Sequence, residues 1–187
     1  MIFKIFFLFI PPLLWQTYKT KELPPRAFEA TSTWHTLNPE FSYFLWDDSD
    51  IEAYIAQQWP SEFLTLFDSL PIGAMKADLW RYLILATEGG VYSDIDSLCL
   101  RPIREWPLPK ENTPRHLLFI DLDCDQTHFC QWTLAATPRH PALLYLCHYL
   151  LKQWKKRGGL LYSTDGKIDV LATTGPTLFS NAIKSYL

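Results

Sequence analysis

The tightest constraint on this chain lies at Gly89-Gly90, where a helix-patterned stretch from Ala74 to Glu88 meets the β-favouring run Val91 to Ile95 with no room for a loop. Paired glycines suit the left-handed end of a helix, so the chain turns sharply there and lays the strand back against the helix it has just left. A helix that returns directly as a buried strand belongs to a layered α/β architecture.

The rest of the sequence repeats that alternation. Leu13 to Thr17 reads as a short buried strand, and Pro24-Pro25 opens a helix to about Leu37, proline being tolerated in a first helical turn. Phe41 to Trp46 is a second, aromatic strand. Asp47 to Asp50 then caps a helix through Ile51, Tyr54 and Ile55, and another helix begins near Ser61. His116 to Ile120 reads as a further strand, and Thr133 to Ala136 is short and apolar. From Pro141 a helix puts Leu143, Leu146, Cys147, Leu150, Leu151 and Trp154 on one face, ending at Gly158-Gly159. A polar segment leads to Asp169–Pro176, and a last helix reaches the C-terminus. The expectation is one domain over residues 1–187, an open, mainly parallel sheet flanked by helices.

Composition narrows the function. Hydrophobic residues make up 48% and charged residues 20%, enough apolar material for a packed core and against disorder. Net charge is −3, and the cations Lys152, Lys155, Lys156 and Arg157 simply end a helix, so nucleic acid is not an expected partner. The cysteines (Cys99, Cys124, Cys130, Cys147) show no C-x-x-C spacing, and Cys147 reads as core. The apolar start from Met1 to Ile10 is cut by Pro11-Pro12, well short of the roughly 20 residues a spanning helix needs. It is expected to lead into the first core strand, with cytoplasmic or peripheral-membrane placement.

The chemistry-bearing stretch is Lys76 to Tyr82 followed by Gly89 to Asp96. A lone D-x-D is often only a solvated strand end. Here Asp94 and Asp96 follow a buried strand, and ligands of open parallel sheets bind beyond the carboxyl ends of the strands. In an extended segment, residues two apart face the same side with Cα atoms about 6.6 Å apart. Two carboxylates so placed can hold a hard cation and leave its other positions to phosphate and water. Asp78 and Arg81, spaced i, i+3, share one face of a largely apolar helix, where charges need partners. An Arg held by an Asp suits a sugar diphosphate, the guanidinium for oxygen anions and the carboxylate for hydroxyls.

These motifs together resemble the signature of the DXD-containing sugar transferases of glycosyltransferase family 32, which includes fungal α-1,6-mannosyltransferases and relatives of the large clostridial glucosylating toxins. Ile10 to Lys19 is similar to the family's opening strand, Leu37 to Asp48 to its second block, and Ala136 to Pro141 and Thr174 to Pro176 to later blocks. The resemblance implies a GT-A-like fold, a UDP- or GDP-hexose donor, Mn2+ or Mg2+, a glycan, lipid or protein acceptor, and transfer with retention. It implies Asp96 as the direct metal ligand, Asp94 on metal, ribose or sugar, Asp78 and Arg81 on the donor, and Trp15 and Gln16 near the base. Two departures stand out: Trp15 sits where many members have His, and the chain ends soon after Thr174-Gly175-Pro176, whereas many relatives continue into a C-terminal His/Asn/Ser segment. No catalytic acid, base or nucleophile is singled out.

Two alternatives accompany this reading: a catalytically silent nucleotide-sugar-binding domain, and a haloacid-dehalogenase-like phosphatase built on Asp121-Leu122-Asp123 after the His116–Ile120 strand. His128 with Asp125 is a weaker catalytic or metal pair, and Gln131 and Trp132 are candidates to face an acceptor.

Overall fold

The computed structural model describes residues 10–107, 118–122 and 127–187. Five strands, β1 (Leu13–Thr17), β2 (Ser42–Trp46), β3 (Gly90–Ser93), β4 (Leu118–Phe119) and β5 (Thr133–Ala136), form one sheet in the order β2-β1-β3-β5-β4. β1 pairs in parallel with β2 and β3, and β5 runs antiparallel to both β3 and β4. Four strands therefore share a direction and only β5 opposes them, which is the mainly parallel sheet expected. The strand expected over His116 to Ile120 is seen as β4; His116 and Leu117 lie outside the described residues, as do residues 1–9 of the apolar start.

The helices are α1 (Pro25–Leu37), α2 (Asp48–Gln58), α3 (Ser61–Ser69), α4 (Gly73–Thr87), α5 (Pro141–Arg157), the short α6 (Val170–Thr173) and α7 (Pro176–Tyr186). Their ends follow the local chemistry. Asp47 and Asp50 form a reciprocal capping box at α2. Asn38, buried at the end of α1, donates to the Trp34 carbonyl and accepts the Ile103 N–H at 2.7 Å. Gly158, at φ 71°, ends α5 behind Lys155, Lys156 and Arg157.

Side-chain alternation on the strands separates two apolar layers. Trp15, Tyr92, Leu134 and Ala136 face the larger core, shared with α2 to α5 and α7. Leu14, Val91 and Ala135 face the smaller one, with Trp34 of α1 and Ile103. In the larger core Trp46 stacks on Trp80 at 4.8 Å between ring centroids and Trp15 stacks on Phe44 at 4.5 Å. Such offset ring pairs add to the stabilisation that burial supplies.

The α4–β3 turn is as tight as the glycine pair demanded. Gly89 and Gly90 have φ of +68° and +94°. A Cβ on Gly90 would lie 2.5 Å from the Leu13 carbonyl oxygen, and one on Gly89 2.6 Å from Pro138 N. Trp15 closes the corner by donating its indole N–H to the Gly89 carbonyl at 2.9 Å. The same turn aims the carboxyl end of β3 and the inner face of α4 at one another, which sets the site.

Among the described residues no helix is long and apolar enough to cross a membrane. Cys99, Cys130 and Cys147 are buried; Cys124 lies outside the described residues.

Candidate active site

Arg81 is the centre of the site. It projects from α4, is 3% exposed, and spans two carboxylates. One guanidinium nitrogen lies 3.1 Å from Asp78 Oδ1, and the other donates to Asp94 Oδ1 at 2.7 Å. The first also donates to the Gln131 carbonyl at 3.2 Å, and the guanidinium carbon sits 4.9 Å over the Tyr92 ring. A buried cation is tolerable only when paired and hydrogen-bonded, and this one has both.

Asp78 is 4% exposed and both its oxygens are engaged. Oδ1 accepts from the Gln131 amide at 2.9 Å, and Oδ2 accepts from the Thr174 hydroxyl at 2.8 Å. The Tyr82 hydroxyl sits between the Gln131 amide oxygen and the Thr174 carbonyl, donating to the latter at 2.8 Å. Burial pushes the carboxyls of Asp78 and Asp94 above the ordinary carboxylate range, and Arg81 pulls both back down. For Arg81 burial acts against the charge, but the oxygens of Tyr92, Asp94 and Asp78 outweigh it and hold the guanidinium protonated.

The acids themselves stand on a turn, not on an extended segment. β3 ends at Ser93, and the turn closes with the Ser97 N–H on the Asp94 carbonyl at 3.1 Å. The alternation expected to aim Asp94 and Asp96 the same way therefore does not govern them, because the strand stops one residue earlier. Asp94 is instead held in, its Oδ1 accepting from Arg81 and from the Tyr92 hydroxyl at 2.9 Å. Asp96 is exposed, and no hydrogen bond or ion pair engages it among the described residues.

The turn is anchored from β1, from α1 and from the residue preceding β5. The Asp94 carbonyl also accepts from Gln16 Nε2 of β1 at 3.1 Å and from Ser97 Oγ at 2.6 Å. Trp34 of α1 donates its indole N–H to the Ser97 carbonyl at 2.9 Å. The Asp94 N–H donates to the Trp132 carbonyl at 2.8 Å.

The structure thus brings together Asp78, Arg81 and Asp94, with Asp96 beside them at the rim of the sheet. Gln16 is fully buried and touches Asp94 through its amide while accepting from the Tyr43 hydroxyl at 3.0 Å. Trp15 is 5% exposed, its ring committed to Phe44, Trp46 and Gly89. Gln16 stands behind the acidic turn, and Trp15 is buried at the Gly89 corner, the opposite end of β3. Gln131, Tyr82 and Thr174 are network members that the motif around Asp94 does not announce: their partners lie 49 to 96 residues away. Tyr82 and Thr174 stand in stretches that resemble the family and Gln131 is a candidate to face an acceptor, but none of these signals pairs them with Asp78 or with one another.

The other candidates do not join this cluster. Asp121 is exposed, and its Oδ1 accepts the neighbouring Leu122 N–H at 2.8 Å; Asp123 and Asp125 lie outside the described residues. His128 contacts the hydroxyls of Thr127 and Thr177 at 2.7 and 3.3 Å.

Could these residues hold a divalent cation? Among the described residues no group of three or more His, Cys, Asp or Glu side chains is arranged to do so. What the turn offers is the free Asp96 carboxylate and the second oxygen of Asp94. That set fits a hard cation that takes one or two carboxylates and completes its shell with phosphate oxygens and water.

The chain is similar to known sugar transferases. Residues 24–113 match the family described as glycosyltransferase sugar-binding region containing DXD motif, a span that includes Asp78, Arg81, Asp94 and Asp96. The chain is 32% identical to the initiation-specific α-1,6-mannosyltransferase of Schizosaccharomyces pombe, over 95% of this chain and 49% of that protein. It is also 32% identical to a mannosyl phosphorylinositol ceramide synthase of Saccharomyces cerevisiae, over 95% of this chain and 43% of that protein. Among solved structures it superposes on the PaToxG glycosyltransferase with a TM-score of 0.72 and 17% identity, covering 96% of this chain and 70% of that one. The fold is that of the GT-A glycosyltransferases. The chain belongs to the family of DXD-containing sugar transferases, and it spans about half the length of the curated relatives it matches. The phosphatase alternative is dropped: the family match falls on the Asp94–Asp96 region, and Asp121 stands apart from the buried network.

Proposed function

We propose that this chain carries the donor site of a metal-dependent glycosyltransferase that moves a hexose from a UDP- or GDP-sugar to a glycan, lipid or protein acceptor, with retention. The mannosyltransferase names of its relatives favour mannose as that hexose. The observation that carries this reading is Arg81 spanning Asp78 and Asp94, with Asp96 left free on the adjacent turn.

The residues divide the work. Asp96, exposed and unpaired, and the outer oxygen of Asp94 are the groups available to metal and donor. Arg81 fixes Asp94 and keeps a permanent positive charge under the site, where departing diphosphate accumulates negative charge; a preoriented charge of this kind costs no reorganisation during reaction. Asp78, held by Gln131 and Thr174, sets the position of Arg81. Gln16 acts on the donor site through the Asp94 carbonyl, and Trp15 supports it by closing the α4–β3 corner. A divalent cation, Mn2+ or Mg2+, when bound at Asp96 and Asp94, would neutralise charge on the leaving phosphate without proton transfer.

The test is a panel of UDP- and GDP-hexoses incubated with the protein and Mn2+, with release of the nucleoside diphosphate as readout. Turnover on one donor that disappears in Asp96→Ala supports the enzyme. Metal-dependent nucleotide binding with no turnover on any donor would replace it with a silent binding module.

A further inference from the structure

Six of the eight tryptophans pack on another ring: Trp15, Trp34, Trp46, Trp59, Trp80 and Trp106. Trp132 differs. It is 40% exposed, the only tryptophan among the exposed large hydrophobic residues, and no ring contact or side-chain hydrogen bond engages it among the described residues. Its backbone, in contrast, is fixed. The Trp132 carbonyl takes the Asp94 N–H at 2.8 Å, and the carbonyl of the preceding Gln131 takes an Arg81 N–H at 3.2 Å. The Gln131 amide side chain is bonded to Asp78 at 2.9 Å. The segment is thus tied to all three members of the buried charge cluster, and it carries a free indole at the rim where Asp96 is also exposed.

Phe28 and Tyr162 are more exposed than Trp132, so its exposure alone selects nothing; what sets it apart is a backbone tied to the donor site, and an indole face is suited to the apolar C–H face of a pyranose. We infer that Trp132 is a carbohydrate platform on which the acceptor sugar stacks beside the donor. This rests on the glycosyltransferase reading above and adds to it a class of acceptor, a pyranose presented at the rim. The backbone bond from the Asp94 N–H to the Trp132 carbonyl supplies the geometry required: a stacking residue can orient an acceptor hydroxyl only if its own backbone is registered to the donor site.

Fluorine NMR of protein labelled with fluorotryptophan tests this directly. The Trp132 resonance is assigned by its loss in Trp132→Phe, and methyl α-mannopyranoside is the probe, added to protein saturated with Mn2+ and the nucleoside diphosphate, GDP or UDP, that binds. The expected result is a shift of the Trp132 resonance with the other seven unmoved, together with an acceptor KM raised roughly fivefold to tenfold in Trp132→Ala, recovered in Trp132→Tyr, while the donor KM moves less than twofold. A Trp132 resonance that ignores the mannoside, or an Ala variant that raises donor and acceptor KM alike, overturns the platform while leaving the donor site intact. Failure of both nucleotides to bind in the presence of Mn2+, seen by calorimetry before any sugar is added, overturns the donor reading and the platform with it.

Discussion

Replacing Arg81 separates a positive charge from the geometry that carries it. In Arg81→Lys the charge remains, but one ammonium cannot reproduce a fork whose two nitrogens reach Asp78 Oδ1 at 3.1 Å and Asp94 Oδ1 at 2.7 Å. One charge-assisted bond is lost, a cost of about 1.5–3 kcal/mol. In Arg81→Met the buried Asp78 and the partly exposed Asp94 both lose their cation, and breaking the buried Asp78 pair from one side costs roughly 3–5 kcal/mol. The pH dependence identifies the cause. Arg81 is what pulls the Asp78 and Asp94 carboxyls down against burial, so its removal raises both further above their unfolded values. The deficit of the Met variant is then full above those raised values and shrinks as pH falls toward the ordinary carboxylate range, where protonated acids need no cation. Urea unfolding at neutral pH and near pH 5, with nucleotide-sugar turnover at neutral pH, measures both. A Lys variant within about 0.5 kcal/mol of the parent and equally active, or a Met deficit that does not change with pH, refutes the reasoning.

Three further outcomes are expected. Asp96→Asn removes metal-dependent nucleotide binding by calorimetry yet shifts stability by no more than about 0.5 kcal/mol, because the side chain is exposed and unpaired; retained metal-dependent affinity would contradict the role given to Asp96. Gln16→Met, which strips a donor from the Asp94 carbonyl and an acceptor from the Tyr43 hydroxyl, costs about 1–3 kcal/mol and weakens binding of the metal–nucleotide pair; a stability loss with unchanged affinity would confine Gln16 to the fold. Gly90→Ala combines a backbone at φ +94° with a Cβ 2.5 Å from the Leu13 carbonyl, a loss of roughly 2–6 kcal/mol from strain and overpacking together, read as a lowered urea midpoint or failure to accumulate as soluble protein.

Much of this architecture was legible in the residues, because its signals are local. Paired glycines at φ +68° and +94° end a helix wherever they occur, Asp47 and Asp50 cap a helix within one turn, and period-2 and period-3.6 patterns separate strands from helices over a few residues. The i, i+3 relation of Asp78 and Arg81 is a property of any helix, and their ion pair followed from it.

Three decisions belonged to the tertiary structure alone. The reversal of β5 depends on which neighbours a four-residue strand meets, and nothing within Thr133 to Ala136 encodes that. The acids' orientation depended on where β3 stops: a turn held by Gln16, Ser97 and Trp34 replaced the alternation of an extended segment, drawing Asp94 inward and leaving Asp96 at the surface. The closure of Asp78 by Gln131 and Thr174 joins positions 53 and 96 residues away. Sequence fixes what a short stretch of backbone does by itself; which buried polar groups meet across the sheet is settled only when all the layers pack, since each needs a partner from elsewhere in the chain to repay its desolvation.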